Sequence, residues 1–422
     1  MPIPIAIANT IVDPKAYSLG KPADDAFAML RRAMPLERAQ PDGYEPFWVV
    51  TKHADITEIE SQSALFTNGG RSSTLVMMDA DRMIKDFVGE PNLVRSLISV
   101  DGPEHKALRG IGFPLFIPSK IRQLEDKIRN IARGFVDDMM ARSPECDFAK
   151  DVAFLYPLRV VMQVLGVPES DEPLMLKFTQ EIFGPNDPDM NRAHQVVSQT
   201  EATANVRQIM LDLEDYFSKV TVALRAKPCD GLNSVIANAK IDGKYLNHRQ
   251  LMGYYIIAAT AGHDTTSNTT AGALWALAER PEALNTLKAN PAAISGFVEE
   301  SIRWVTPVKH FMRAASADHE FRGKNIVKGD WLMLSYHSAN RDESEFVDPF
   351  SFDIARTPNK QVAFGYGPHV CLGQHLARLE MRVLWEELLP RLASLELSGE
   401  PKRTQSNFVC GPKTVPIRFK PS

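Results

Sequence analysis

One stretch combines a cysteine with loop and helix signals that favour a reactive sulfur: FGYGPHVCLGQHLARLE, residues 364–380. Gly365 and Gly367 predict a tight turn in which backbone amides point inward. Helical spacing begins directly after Cys371, so its thiol lies at a helix N-terminus, where free amides and the helix dipole lower a thiol pKa. The resulting thiolate would suit a soft metal. A small buried cysteine that only fills space is the alternative for this residue alone.

Two other kinds of site fit this stretch poorly. A dinucleotide-binding loop needs a third glycine where Val370 stands. A zinc site built from Cys371 and His375 lacks further clustered ligands. The four cysteines lie far apart and form no CxxC pair, which also argues against a disulfide framework.

The segment ATAGHDTTSNTT, residues 259–270, places polar groups in the middle of an apolar helical pattern. Gly262 costs about 1 kcal/mol there relative to alanine, and Asp264 and Thr265 compete with the backbone for hydrogen bonds. Residues that contradict the usual preferences of a helix are expected at functional sites. A loosened turn that carries a carboxyl and a hydroxyl could hold and protonate a small polar ligand. A helix break capped by hydroxyl groups is the alternative.

Two charged pairs have the spacing of one helical turn. Glu300 and Arg303, in EESIRW, share a helix face, and an exposed pair of this kind contributes only ~0–1 kcal/mol. His105 and Arg109, in DGPEHKALR, could clamp a carboxylate or a phosphate. Taken alone, each pair is also what a solvated helix face would show.

Helical periodicity dominates the chain, so we predict a mainly α fold with small β-sheets at its edges. Residues 247–280 have the pattern of one long central helix, which Pro281 ends. The other predicted helices cover 118–140, 150–166, 171–184 and part of 195–227, and lie near 282–289 and 293–305. The best strand signals are 47–51, 331–336 and 415–419.

Composition is that of an ordinary globular protein, with 44% hydrophobic and 24% charged residues among 422. No linker or repeat marks a boundary, so we expect one domain over 1–422. Forty-eight basic against fifty-two acidic side chains argue against nucleic acid as a partner. The N-terminus lacks the basic region of a signal peptide, and the apolar runs fall short of the ~20 residues of a membrane span. A cytoplasmic location is expected.

The elements HKALR, AGHDTT, ESIR and FGYGPHVCLG, in this order, resemble the cytochromes P450 over nearly the whole chain. Longer stretches, such as SYHSANRDE and GPKTVPIRF, are similar to the bacterial P450 family that hydroxylates terpineol. The resemblance implies a large helical domain with haem b, iron protoporphyrin IX, between the long central helix and the Cys-loop helix. Cys371 would be the thiolate ligand of the iron.

The resemblance also assigns roles residue by residue. Asp264 and Thr265 match the catalytic acid–alcohol pair that supplies protons for O₂ activation. Glu300, Arg303 and, in FDIAR, Arg356 would form a buried structural network that braces the Cys loop. The haem-contacting positions, including those for its propionates, would be His105, Arg109, Arg313, Phe364, Gly365, His369, Cys371 and Gly373.

Family topology places a mostly apolar set of side chains around the substrate, which suggests a terpenoid or an aromatic hydrocarbon. These pocket positions are Leu97, Ile98, Ile257, Ala261, Val308, Phe408 and Val409. Residues 66–100, which build much of a P450 substrate pocket, match the family less clearly.

No flavin domain is fused to the chain, so the resemblance implies that electrons come from a [2Fe-2S] ferredoxin and its NAD(P)H-dependent reductase. Basic groups that could steer such a partner are Lys106, Arg109, Lys120 and Arg122. A monomer is the usual state of soluble P450s. Two rival functions are a haem-thiolate peroxygenase, which would lack the acid–alcohol pair, and a non-catalytic haem-binding sensor.

Overall fold

The computed structural model describes residues 2–422, and helices form most of its ordered elements. The helices of the first half are α1 Ile5–Thr10, α2 Pro14–Leu19, α3 Lys21–Ala33, α4 His53–Ser61, α5 Met78–Val88, α6 Gly102–Phe116, α7 Pro118–Arg122, α8 Glu125–Ala141, α9 Leu155–Leu165, α10 Glu172–Phe183 and α11 Gln199–Ala226. Those of the second half are α12 Leu232–Asn238, α13 His248–Ala261, α14 Asp264–Ala278, α15 Pro281–Ala289, α16 Ile294–Val305, α17 Tyr336–Ala339 and α18 Gln374–Leu388.

The strands are short and lie in small sheets. They are β1 Leu36–Ala39, β2 Phe47–Val50, β3 Phe66–Thr67, β4 Glu145–Asp147, β5 Lys240–Ile241, β6 Lys244–Tyr245, β7 His310–Ala315, β8 His319–Phe321, β9 Lys324–Ile326, β10 Trp331–Ser335, β11 Leu392–Leu397, β12 Lys402–Arg403, β13 Pro412–Thr414 and β14 Pro416–Pro421. The largest sheet has the order β1-β2-β10-β7-β3, in which β2 and β10 are parallel. The three predicted strands correspond to β2, β10 and β14.

Most predicted helices are present, and their ends follow the sequence signals. α9 ends at Gly166, whose φ of 77° suits glycine, and α10 ends at Gly184. α11 begins with a capping box formed by Ser198 and Glu201. The helix predicted over 118–140 is instead two helices, α7 and α8, because the backbone tightens into i→i+3 hydrogen bonds at Gln123 and Leu124.

The long helix predicted over 247–280 is also two helices. α13 ends at Ala261 and α14 begins at Asp264, with Gly262 and His263 between them. Hydroxyl groups on both sides bond the carbonyl four residues earlier, since Thr260 donates to the Ile256 carbonyl and Thr265 to that of Ala261, each at 2.8 Å. Such bonds bend helices, so the polar residues that interrupt the apolar pattern mark the break.

The break lies between two separate hydrophobic cores. The apolar residues of α13 pack with those of α6 and α9–α12. Those of α14 pack with α8, α16 and α18 and with strands β11 and β14. The α13–α14 junction, residues 261–265, therefore stands where the two cores meet and where a cavity opens between them.

Within residues 2–422, no helix combines the length and apolar character that crossing a bilayer would require.

Candidate functional site

The Cys loop, residues 364–373, forms one wall of this cavity and has a fixed backbone shape. Gly365 and Gly367 have φ of 69° and 66°, in the region that glycine favours. A Cβ atom at position 367 would lie 2.4 Å from the backbone oxygen of Glu60 in α4, so any side chain there would clash. The Cys371 amide closes the loop by donating to the Phe364 carbonyl at 2.8 Å.

The sulfur of Cys371 faces the cavity just before α18 begins. Burial raises the pKa of the Cys371 thiol, although the amides of Gly373 and Gln374 and the charge of Arg109 act in the opposite direction. The amides at the helix N-terminus thus act on this pKa in the predicted direction, but desolvation outweighs them in the protein alone. The Phe364 ring packs under the Arg378 guanidinium, 4.5 Å away, and lines the cavity beside the sulfur.

A buried charge network stands behind the Cys loop and contains the three residues predicted for it. The Glu300 carboxylate accepts from Arg303 at 2.6 and 2.8 Å and from Arg356 at 3.1 Å. The Asp353 amide and the Asn359 side chain also donate to it. Glu300 and Arg303 have no exposed surface.

Arg303 uses its remaining donors on backbone carbonyls. It bonds those of Asn340 and Pro349, at 2.8 and 2.9 Å, and that of Ser351. The network thus connects α16 to the segments that lead into the Cys loop. A buried ion pair with its other hydrogen bonds satisfied holds these segments in one arrangement.

The α13–α14 junction forms the opposite wall. Ala261, Gly262 and Thr265 line the cavity. Asp264, predicted to act with Thr265, does not line it: its side chain is buried, 1% exposed, and Oδ2 has no hydrogen-bond partner within residues 2–422. Asp264 instead lies beside His263, with 3.5 Å between Oδ2 and Nδ1.

Cationic and donor groups gather at one edge of the cavity. The rings of His105 and His369 stack with centroids 3.9 Å apart, and Arg109 donates to the Val370 carbonyl at 2.7 Å. Burial, with His369 and Arg109 nearby, lowers the pKa of His105 to about 4. His105 Nε2 is buried and has no partner among the described residues.

Two acids in this cluster were not foreseen. Arg313 donates to Glu60 at 2.6 Å, and Tyr336 donates to the same oxygen. Burial opposes ionisation of Asp101, but hydrogen bonds from His369, Asn68 and Gly69 hold the pKa of its carboxyl well below the usual range. The Glu60 carboxylate therefore partly neutralises Arg313.

Apolar side chains make up much of the remaining lining. Five of the seven predicted pocket residues belong to it: Leu97, Ile98, Ile257, Ala261 and Val308.

The other two predicted pocket residues, Phe408 and Val409, do not line this cavity. Val409 forms a β-bridge with Val308 and is buried behind it. The Phe408 ring packs edge-on against Phe311, whose own ring lines the cavity, with centroids 5.4 Å apart. Both residues therefore support the lining from behind.

The family of this chain follows from comparison with known proteins. The family model described as Cytochrome P450 matches residues 77–419. This chain belongs to the cytochrome P450 family. It is 47% identical over 419 residues to Cytochrome P450-terp from a Pseudomonas species, covering 99% of this chain and 98% of the relative. It is 28% identical to linalool 8-monooxygenase from Pseudomonas putida, covering 97% and 98%.

Solved structures agree with this assignment. The fold matches the crystal structure of a P450 from Novosphingobium aromaticivorans with a TM-score of 0.91 and 42% identity, covering 100% of both chains. The predicted P450 fold and the similarity to terpineol-hydroxylating P450s are confirmed. The chain is accordingly an oxidoreductase of the monooxygenase type.

P450s carry a haem iron, and the residues of the cavity fit this group. Cys371 presents one sulfur to the cavity, and within residues 2–422 no three His, Cys, Asp or Glu side chains are grouped to hold a metal among themselves. A single protein thiolate is the ligand that a P450 haem uses. The buried, unpaired Nε2 of His105 is a donor for a propionate carboxylate.

Sequence reasoning missed several polar residues that line this cavity, among them Glu60, Tyr254 and Glu380. Burial raises the pKa of Glu380 well above its usual value, while a hydrogen bond from Thr266 opposes the shift. Burial also raises the pKa of Tyr254 to about 12. A charged residue next to the apolar positions Leu376 and Leu379 of α18 was the one signal that could have revealed Glu380.

Proposed function

We propose that this P450 inserts one oxygen atom from O₂ into a small hydrophobic molecule, a terpenoid or an aromatic hydrocarbon, with electrons from a ferredoxin. The observation that carries the proposal is the cavity itself: Cys371 lines it on one side, Thr265 on the other, and apolar side chains line most of the rest. Such a lining favours a ligand with few polar groups.

The charged residues of the lining support an uncharged substrate. Within residues 2–422, its basic side chains are His105, Arg109, Arg313 and His369, which all belong to the cluster assigned to the propionates. No further cation in the lining could bind a fatty-acid carboxylate. The relative named linalool 8-monooxygenase acts, by its name, on a small terpenoid alcohol, which favours a terpenoid here.

The chain's own residues have separate tasks in this proposal. Haem b, when bound, supplies the activation of O₂ and the oxidation of a C–H bond. Cys371 holds the iron, and the amides of Gly373 and Gln374 point toward its sulfur and moderate its charge. Thr265 presents a hydroxyl at the cavity wall, and Asp264 is the acid from which that hydroxyl is re-protonated.

A basic groove beside α18 suits an acidic ferredoxin, reduced in turn by an NAD(P)H-dependent flavoprotein. Arg122, His375, Arg378 and Arg382 line it. Glu299 partly neutralises Arg378, and Glu125 and Glu386 pair with Arg382, whereas no acidic partner of Arg122 is found among the described residues. Opposite charge would steer the partner to this face. Lys106 and Lys120 remain candidates for the same role.

Arg109 is a weaker candidate for steering the ferredoxin than the sequence suggested. Its guanidinium bonds the Val370 carbonyl and lines the cavity. Charge that faces the interior contributes little to long-range attraction.

We infer a monomer in the cytoplasm as the working form.

A spectral titration of the ferric protein tests the substrate class. The panel contains terpenoids, aromatic hydrocarbons, fatty acids and steroids, and the signal is the change of the haem from low to high spin. We expect a strong shift with a terpenoid or an aromatic hydrocarbon. A shift only with fatty acids would overturn the substrate class and leave the haem-thiolate chemistry intact.

A turnover experiment separates the proposed activity from its rivals. NADH, ferredoxin and reductase should give a hydroxylated product under air, and hydrogen peroxide alone should give little. Efficient turnover with peroxide alone would indicate a peroxygenase, and the absence of product with either oxidant would indicate a haem sensor. The Asp264–Thr265 pair favours the first outcome.

A further inference from the structure

His263, which lies between α13 and α14, is a buried titratable residue that the proposed function does not use. It has no exposed surface. Both of its ring nitrogens lie within hydrogen-bonding distance of other elements: Nε2 is 2.7 Å from the Phe154 carbonyl oxygen, and Nδ1 is 2.9 Å from Thr179 Oγ1. It therefore joins the junction to the start of α9 and to α10.

The chemistry of these partners fixes the protons of the ring. A carbonyl oxygen can only accept, so Nε2 carries a proton and donates it to Phe154. In a neutral imidazole Nδ1 is then the acceptor, and the Thr179 hydroxyl must donate to it. The same hydroxyl lies 3.0 Å from the Leu176 carbonyl, but it has one proton and can satisfy only one of these acceptors at a time.

Asp264 lies on the third side of the ring. Its Oδ2 is 3.5 Å from His263 Nδ1 and has no hydrogen-bond partner within residues 2–422. Unpartnered buried carboxylate oxygens are rare and costly. The imidazole ring therefore limits where the Asp264 carboxyl can be placed by packing beside it and not by a hydrogen bond. The ring is itself within hydrogen-bonding distance of Thr179.

We propose that His263 and Thr179 are positioning residues that hold the Asp264 carboxyl at the α13–α14 junction and couple it to the position of α10. This inference rests on the proposed function, because Asp264 is the acid of that function. The Thr179 hydroxyl is the point of coupling: while it donates to Nδ1, α10 and the imidazole ring stay in contact. A displacement of α10 breaks this bond and frees the ring and the carboxyl beside it.

Two variants of Thr179 form a matched pair for the test. Thr179→Val keeps the shape of the side chain but removes the hydroxyl, and Thr179→Ser keeps the hydroxyl. We expect Thr179→Val to lower the hydroxylated product formed per NADH by about tenfold, because small displacements of a reacting group carry large costs. Thr179→Ser should retain most of the wild-type ratio. The substrate-induced spin shift should be unchanged in both.

A second measurement does not depend on turnover. Nitrogen-15 spectra of histidine-labelled protein, in the diamagnetic ferrous carbonyl form, distinguish the two neutral tautomers and the cation. We expect the resonance that His263→Gln removes to show a proton on Nε2, and Thr179→Val to shift the Nδ1 signal. Hydrogen exchange of residues 172–183 should accelerate in Thr179→Val and in His263→Gln, but not in Thr179→Ser.

The outcomes distinguish the two proposals. Unchanged product per NADH in Thr179→Val and His263→Gln, together with a loss in Thr265→Ala, would overturn the positioning role and leave the monooxygenase standing. Equal losses in Thr179→Val and Thr179→Ser would also overturn it, since the hydroxyl would not matter. A wild-type protein that forms no product would reject the proposed function, while the spectra and the exchange rates would still decide whether the contact exists.

Discussion

The Glu300–Arg303 pair behind the Cys loop and the α13–α14 junction differ in how their buried polar groups are paired. In the network behind the Cys loop, Glu300 accepts from four residues and Arg303 bonds three backbone carbonyls. At and just beyond the α13–α14 junction, Asp264 Oδ2, Asn268 Oδ1 and Thr270 Oγ1 are buried and have no partner among residues 2–422.

This contrast separates two kinds of task. A metal ligand must stay in one position, and a network with its hydrogen bonds satisfied provides that rigidity. A group that transfers protons must be able to exchange partners, so a loosened helix with spare acceptors is suited to it.

Replacing the sulfur should have the largest effect. Cys371→Ser should abolish the thiolate spectrum of the reduced carbonyl complex and lower hydroxylation by more than about 100-fold, since changes to outer-shell partners alone cost 10–100-fold. Absorption spectra and product analysis measure both. The exposed Cys229 gives the control, and Cys229→Ser should behave as wild type. Retention of the thiolate spectrum in Cys371→Ser would assign the ligand to another cysteine.

Breaking the satisfied network should unfold the protein more easily. Arg303→Ala leaves the Glu300 carboxylate buried without its main partner, so the free energy of unfolding should fall by about 3–5 kcal/mol. Urea denaturation of the holoprotein measures the change. Arg382→Ala removes two partly exposed pairs, with Glu386 and Glu125, and should cost only about 1 kcal/mol. Similar losses in the two variants would show that the network does not act as a brace.

Removing the hydroxyl at the opposite wall should affect chemistry more than binding. Thr265→Ala should leave the substrate-induced spin shift intact and divert electrons to peroxide, with product per NADH falling by about tenfold or more. Thr260→Ala is a matched control, because its hydroxyl bonds a helix carbonyl in the same way but does not line the cavity. An unchanged ratio in Thr265→Ala would remove the proton-delivery role from this residue.

Glu380 should make the stability of the folded protein depend on pH. Because burial raises its pKa in the folded protein, the folded state holds a proton that the unfolded state releases above the ordinary glutamate range. Stability should then fall as pH rises through that window, by at most about 1.4 kcal/mol per pH unit. Glu380→Gln should remove this slope and change stability by less than about 1 kcal/mol at low pH. This account would be refuted if the free energy of unfolding, measured from pH 5 to 8, changed with pH equally in the wild type and in Glu380→Gln.

Local signals were enough to predict a large part of this site. The glycines around Cys371, the one-turn spacing of Glu300 and Arg303, and the polar break before Thr265 each lie within one short segment. Their elements are present, and the P450 resemblance supplied the order in which they combine. The sequence predicts a loosened turn within one continuous helix at residues 259–270, and the structure has two helices that meet there.

The residues that were missed reach the site from distant parts of the chain. Glu60 meets Arg313 across 253 positions, and Thr179 meets His263 across 84, so no spacing rule reveals either contact. The position of Phe408 depends on tertiary packing in the same way, because whether a ring lines a cavity or supports its wall depends on neighbours such as Phe311. Tertiary packing decides these contacts, and local periodicity carries no information about it.

The contact between Gly367 and the Glu60 carbonyl has a consequence for the order of assembly. Ribosomal synthesis produces α4 early, whereas the loop that packs against it is made only near the end of the chain. Contacts of such long sequence separation form late, because the chain must first close a very large loop. We therefore expect the metal-binding loop to acquire its shape only when nearly all of the polypeptide is present, so that cofactor capture belongs to the last stage of folding.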